Sequence, residues 1–405
     1  MKRIDSFINL KAYCENEDFA GWDPYDGLNS KVFQALPFFK HSALCRLIII
    51  QSFKRCPVNF RRIALVPKGH NAKSIALFLS GYCNLYHALQ KGMDIGMSQE
   101  ECFEKIRYLA DLLLSLQSKG YSGACWGYNF DWQSKAFFLP RYTPTVVATS
   151  FAVEALLNAY EISKSEEYLS AALSSANFIL LDLNRIQKKK GYMFSYSPLD
   201  FRAVYNASLL GTKTLSMAYS YSNDEKIKMA AFHSAIAVCN EQNSNGSFPH
   251  SDQIGNKWRD NFHTAFKLES LSFYQKYCND KSFNVNLKLG YRYWIKNFFI
   301  KEKGIAKYYD TSNENDTIDL HCIAQAFSTL YKLNKLEEQK ELINALVNWA
   351  GTYMQDKNSG YFYFQKKDRR INKIAYMRWP NAWMFYGMSY LLLFDANHDK
   401  NSQFY

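Results

Sequence analysis

The sequence predicts an all-α fold, six helical hairpins closed into a ring, or (α/α)6 toroid, with aromatic loops over one face. Three observations carry this. Two kinds of helix alternate along the 405 residues. Connections into one kind are long, and connections out of it are short. A glycine-aromatic element recurs in the long connections at a nearly fixed period.

The first kind of helix has charges interrupting an apolar stripe at helical spacing, as a surface helix does. It is expected at 40–55, 98–118, 165–184, 223–242, 281–299 and 337–354. The second kind has few charges and is rich in Ala, Ser, Gly and rings. It is expected at 71–89, 143–162, 203–221, 261–278, 318–333 and 381–394. Small, uncharged residues all round a helix mean packing on several sides, so these belong inside.

Five long passages share one flavour: GACWGYNFD (123–131), GYMFSYSPLD (191–200), GSFPHSD (246–252), GIAKYYD (304–310) and GYFYFQ (360–365). The glycines at 191, 246, 304 and 360 are spaced 55, 58 and 56 residues apart, the mark of a repeat array. VPKGHNAK (66–73) reads as a degenerate first copy. Short connections such as Lys91–Ser98 make antiparallel neighbours. No distinct polar capping repeat is visible, which favours a closed ring over an open solenoid. In a ring the inner helices run the same way, so their N-termini floor a funnel and the aromatic loops wall it.

The expected boundaries are an N-terminal arm at 1–39, one toroid domain at 40–395 and a tail at 396–405. The arm holds FAGWDPYDGLNSKVF (19–33), rich in turn formers. It reads as a structural wrap, with Asp23 and Asp26 beside Trp22 and Tyr25 as the alternative, a site mouth.

Composition narrows the partners. Aromatic residues reach 17%, with 29 Tyr and 30 Phe, enough to fill a helical core and line a groove. The net charge of +12 favours anionic partners: an acidic glycan, a carrier-linked glycan or an anionic surface. The clusters at Lys188–Gly191 and Lys366–Arg370 read as solvated turns, and no nucleic-acid motif accompanies them. Nine cysteines at irregular spacings, with no C-x-x-C, suit a reducing compartment. No apolar leader is apparent, and the most apolar run, SALCRLIIIQSF (42–53), carries Arg46 and is too short to span a bilayer. A cytoplasmic protein without a transmembrane segment is expected, with peripheral membrane contact open. No metal or cofactor is expected, since P-loop, Rossmann, H-E-x-x-H and G-x-S-x-G patterns are all missing.

Over roughly residues 40–395 the pattern resembles the six-hairpin α/α toroids, which include polysaccharide lyases, glycoside hydrolases and sugar 2-epimerases. Gln187 to Phe194 and Gln242 to Phe248 are similar to the Q-x3-G-x-aromatic brace of terpenoid cyclases. That family's D-x-D-D motif does not occur, nor does a prenyltransferase zinc set. GWDPYDGLNS and WGYNFDWQ resemble uncharacterised toroid proteins of bacterial surface-polysaccharide gene clusters. The resemblance implies a carbohydrate-active protein of surface-polysaccharide metabolism.

The loop tips and helix starts supply the candidate site. Proton abstraction beside a uronate carboxylate, by a lyase or C5-epimerase, needs cations or amides on the carboxylate and His or Tyr as base and acid. Toroid polysaccharide lyases use such sets, and here Tyr205, Asn206, His250, Arg259 and His263 make one. The catalytic candidates are Tyr205, His250, His263 and Asp131. The substrate-binding candidates are Trp126, Tyr128, Trp132, Arg141, Tyr142, Asn206, Asp252, Arg259, Asn261, Tyr308, Asp319, His321, Arg378 and Trp379. A second reading is glycoside hydrolysis by a pair drawn from Asp131, Asp252, Asp310 and Asp319. A third is a non-catalytic glycan- or lipid-binding toroid. Against each residue stands a structural role: helix-start Asn and His as caps, loop Asp as turn formers.

Overall fold

The computed structural model describes residues 3–134, 137–252, 258–314 and 316–398. Its longer helices are α1 (Arg3–Asn16), α2 (Ala43–Arg55), α3 (Ala72–Gln90), α4 (Gln99–Ser115), α5 (Val146–Ser163), α6 (Glu166–Asn177) and α7 (Tyr205–Ser222). They continue with α8 (Glu225–Cys239), α9 (Asn261–Tyr277), α10 (Asn284–Phe298), α11 (Leu320–Lys332), α12 (Lys340–Tyr353) and α13 (Ala382–His398). The inner helices α3, α5, α7, α9, α11 and α13 each pack on the next, and α13 returns to α3. The ring is closed, and the fold is an (α/α)6 toroid. Among the described residues, strands are confined to two- and three-residue pieces, most of them hairpins and one pairing Ile318–Asp319 with Gln365–Lys367.

The inner helices are buried on nearly every side. Four of the six starts are fixed by side-chain caps, which satisfy backbone donors that a helix leaves open at its first turn. Asn71 accepts from Lys73 N, Thr145 from Ala148 N, Asp260 from His263 N and Asp319 from His321 N. Each long loop is locked to the following outer helix through its glycine. A Cβ added at Gly123, Gly191, Gly246, Gly304 or Gly360 would fall 1.9–2.4 Å from a carbonyl oxygen, of Ser174, His233, Leu289, Ala345 and Asn9 respectively. Only glycine permits that approach, so the repeated element is a brace.

The fifth of those contacts corrects the expected first unit. Gly360 docks on Asn9, so the sixth outer place belongs to α1. Phe7, Leu10 and Cys14 lie on one face of α1 and are buried, and Arg3 pairs with Asp395 at 2.7 Å. Residues 3–16 are therefore part of the ring and not an arm. Residues 17–71 form one long loop, the longest in the ring, and the expected outer helix at 40–55 lies inside it. There α2 packs on residues 26–29 and on the hairpin strand at 132–133. At the other end α13 runs through His398, and 399–405 of the expected tail lie outside the described residues.

Midway down the ring the inner helices hold four buried charges. Glu154 bonds Lys213 (2.5 Å) and Lys332 (2.7 Å), and Lys332 also bonds Glu269 (3.0 Å) and the Tyr386 hydroxyl (2.6 Å). Gln325 and Thr329 donate to the remaining oxygen of Glu269. Burial opposes ionisation of Glu154, but the two ammonium groups win and hold its carboxyl down at about 2.

Candidate active site

At the loop face a cavity of about 370 Å³ opens over the inner-helix N-termini. Its floor is built from the first turns: Lys73 of α3, Val147 of α5, Asn206 of α7, Phe262 and His263 of α9, and His321 of α11. Arg378 and Trp379, in the turn leading into α13, complete the circle. The loops add aromatic walls: Tyr25, Tyr128, Phe130, Trp132 and Tyr196 on one side, Trp258, Tyr308 and Tyr309 on another.

The histidines differ in kind. His263 Nδ1 lies 2.6 Å from Asp260 Oδ2, and a carboxylate only accepts, so Nδ1 is the donor and the neutral tautomer has its lone pair on Nε2. Asp260 is itself buried and holds the backbone of the same turn, so the imidazole is fixed by a carboxylate that cannot swing away. His250 stacks on Trp258 at 3.9 Å between ring centres and lies 5.2 Å from the His263 ring. Burial, with help from His263 and Lys267, pushes it down to about 2, so it is neutral at ordinary pH. His321 is sandwiched between Phe262 (4.2 Å) and Trp383 (4.0 Å), and burial pushes it far below the usual imidazole range.

The cations outnumber the anions. Arg378 is tied to Asp23 by two hydrogen bonds, at 2.5 and 2.9 Å, which anchors the 17–71 loop over the cavity. Asp26 is likewise committed to Arg61, so both carboxylates of the DPYD segment are structural. Lys73 has no carboxylate partner among the described residues. Its ammonium sits over the rings of Phe151 (4.5 Å), Trp383 (5.0 Å) and Phe266 (5.3 Å), and burial followed by the Arg378 charge drives its pKa well down. Arg202 lies over Phe137 at 3.5 Å and leaves Nη2 without a protein partner. Asp260 is the one carboxylate on the cavity among the described residues.

Of the residues expected from sequence, the cavity gathers Tyr128, Trp132, Asn206, His250, His263, Tyr308, His321, Arg378 and Trp379. The others lie elsewhere. The Tyr205 hydroxyl donates to Glu241, away from the cavity, because Tyr205 faces outward from the first turn of α7. Asp131 accepts from Arg141 N and braces its loop, while the Arg141 and Tyr142 side chains are exposed. Trp126 is fully buried and donates to Leu113 O. Asn261 bridges Trp294 and the Lys307 carbonyl. Asp252 pairs with Lys188, and Arg259 with Asp310. Asp319 lies behind the wall, receiving Trp379 Nε1 (2.8 Å) and Gln365 Nε2 (2.6 Å); burial raises its carboxyl to about 6.

Sequence reasoning passed over Lys73 and gave Asp260 no role. For Asp260 the signal was present: Asp-x-x-His at a helix start puts a cap and an imidazole on one turn. Lys73 carries no such signal, since a lysine beside an N-cap is ordinarily exposed.

No protein-family model matches the chain, and no curated protein does. Solved structures do. A cellobiose 2-epimerase from Bacillus thermoamylovorans B4167 superposes with a TM-score of 0.61 at 15% identity, covering 80% of this chain and 87% of its own. An unsaturated glucuronyl hydrolase specific for heparin gives 0.61 at 13%, covering 99% and 97%. A GH76 α-mannanase of Bacteroides thetaiotaomicron gives 0.58 at 11%, covering 82% and 88%. At these identities the likeness is one of fold: the chain is an α/α toroid of the architecture these enzymes share.

Proposed function

We propose that this toroid is a carbohydrate-active enzyme that moves a proton at a sugar carbon next to a carboxylate, as a lyase or C5-epimerase on an acidic glycan. The observation that carries the reading is the Asp260–His263 pair on a cavity whose other charges are cationic. His263 Nε2 takes the α-proton, and Asp260 stabilises the imidazolium that forms. The substrate carboxylate lies against Arg202 and Lys73; burial opposes the charged form of Lys73 in the free protein, the bound carboxylate favours it, and the two cations then lower the cost of the enediolate. His250, neutral, donates a hydrogen bond and no proton. The acid is a phenol, Tyr196 or Tyr308, both kept protonated by burial: its proton goes to the departing glycosidic oxygen in a lyase, or back to C5 from the opposite face in an epimerase.

Among the described residues, five of the ten buried side-chain atoms without a hydrogen-bond partner belong to Arg202, Asn206, His250 and His321 on this cavity. Buried polar groups are ordinarily paired, and a polyhydroxylated ligand supplies both donors and acceptors. The sugar epimerases and the glucuronyl hydrolase among the structural neighbours support sugar as the substrate class. The hydrolase reading is served less well, since Asp131, Asp252, Asp310 and Asp319 are each bound to protein groups and none lines the cavity. The setting proposed is surface-polysaccharide metabolism in the cytoplasm; the nine cysteines stand unbridged, in keeping with a reducing compartment.

The test is incubation with uronate-containing glycans in deuterated water. Exchange at C5 without chain cleavage marks an epimerase, and an unsaturated, ultraviolet-absorbing uronate marks a lyase. New reducing ends without that chromophore, or binding with no change, overturn the reading.

A further inference from the structure

The part of the chain that departs most from the ring is residues 31–65, inside the long loop. It consists of short helices at Lys31–Gln34 and Pro37–His41, then α2 and a turn. Among the described residues, nineteen large hydrophobic side chains are exposed, and nine of them fall in this segment. Phe38 is 88% exposed and Ile63 83%. Leu44 and Ile48 share the outer stripe of α2, one turn apart, with Arg55 further along it. The patch is continuous, since Lys31 N bonds Leu65 O and the Pro37–His41 helix packs on α2.

The charge of the segment has one sign. From Gly27 to Met93 the chain contains no Asp or Glu. Lys31, Lys40, Arg55 and Arg62 point outward with no ion-pair partner among the described residues. The inward face, by contrast, is built to stay put. Leu28, Phe33 and Ile50 form a small core of their own. Arg46 donates to Gln133 at 2.9 Å, and Lys54 donates to the Tyr25 hydroxyl at 2.8 Å, on the cavity wall.

We propose that residues 31–65 dock the protein on an anionic lipid surface, with the cavity mouth beside the membrane. Exposed Phe, Leu and Ile edged by Lys and Arg lie in the interfacial plane of a bilayer, where the rings enter the acyl boundary and the cations meet lipid phosphates. A patch of this kind is uncommon on a surface that faces only water. A second copy of the chain fits poorly, because the same four cations would meet across a twofold axis. No helix of the described residues is long and apolar enough to cross a membrane, so docking is on the surface. The proposal is independent of the reaction above.

The experiment is flotation of the full chain with vesicles of phosphatidylcholine alone and of phosphatidylcholine mixed with phosphatidylglycerol. Binding is expected to the mixed vesicles only and to weaken as salt is added. Phe38→Asp with Ile48→Asp should lower partitioning about tenfold or more, and so should Lys40→Glu with Arg55→Glu. All four side chains are on the outside, so circular dichroism and thermal unfolding should be unchanged. No binding to the mixed vesicles overturns the proposal, as does equal binding by the variants. A concentration-dependent dimer that Phe38→Asp dissolves would give the face to a second copy instead.

Discussion

The ring holds two buried sets of charges, one at its middle and one at its loop face, and they are built on different rules. In the middle, Glu154, Lys213, Lys332 and Glu269 pair with one another, and Gln325, Thr329 and Tyr386 take the remaining bonds. At the face, the Lys73 ammonium lies over rings with the Arg378 charge nearby, and among the described residues Arg202 keeps an unpaired nitrogen and both nitrogens of His321 are without partners. Lys73 and His321 are buried as deeply as the middle set, while Arg202 is half-buried. Pairing is the difference: every charge of the first set has a counter-charge within the protein, although Gln325 Oε1 has no hydrogen-bond partner among the described residues, and the second set lacks such counter-charges. Unpaired buried polar groups are expensive, and half of those among the described residues gather at this one face, which supports it as the proposed ligand site.

The sharpest way to break this contrast is at His263. His263→Ala removes the base and leaves the ring packing in place, so kcat should fall by about 10²–10⁴-fold while the thermal midpoint stays close to that of the parent. Turnover at the parental rate would remove the catalytic reading of the face. The converse experiment is Glu154→Ala. It strands the buried ammonium of Lys213 and leaves Lys332 with Glu269 as its one carboxylate, and breaking a buried ion pair in this way costs about 3–5 kcal/mol of stability. Denaturant unfolding measures the loss. A stability change near zero would mean the middle set is no better paired than the face.

Asp319 lies between the two behaviours, being fully paired yet set against the cavity wall. Burial lifts its carboxyl from 3.8 to about 6. A raised carboxylate pKa favours the protonated folded form, so the stability it contributes is complete below pH 4 and is lost as pH rises through 6. Two units correspond to about 3 kcal/mol. Relative to Asp319→Asn, the parent should therefore lose about that much stability between pH 4 and pH 8, read by urea unfolding at each pH. A difference that does not vary with pH would mean that the bonds from Trp379 and Gln365 offset the burial.

Much of the ring was legible because its signals are periodic. The low-charge inner helices, the spaced glycines and the short returns each report one packing rule, and together they define a toroid. The first outer helix was legible too, in Phe7, Leu10 and Cys14, but a turn-rich segment follows it and α2 offered a more apolar decoy. The face was half legible. Helix starts identify which residues can reach the funnel, so Asn206, His263 and His321 fall on it. Direction within a turn is not periodic: Tyr205 and Asn206 are neighbours in sequence and point to opposite sides of the floor. Loop residues such as Asp131 and Asp252 depend on which backbone or lysine lies across from them, and that is decided by the closing of the ring.

Lys73 is the residue on which the comparison is finest, because it belongs to the unpaired set without any chemistry that requires it in the free protein. Lys73→Met keeps most of the volume and the contact with Phe151, Phe266 and Trp383 while deleting the charge. Replacing a buried charge by an apolar side chain of similar shape is often neutral or stabilising, so the variant should unfold at the same temperature as the parent or higher. Affinity should move the other way. An anionic sugar loses its cation on the cavity floor, and binding measured by calorimetry should weaken about tenfold, near 1.4 kcal/mol, while a neutral sugar is scarcely affected. A variant that is more stable and a poorer binder of anions alone would show that the unpaired ammonium is kept for the ligand. If it is destabilised instead, Lys73 is held by the aromatic cage for the fold, and the anionic substrate class loses its main support.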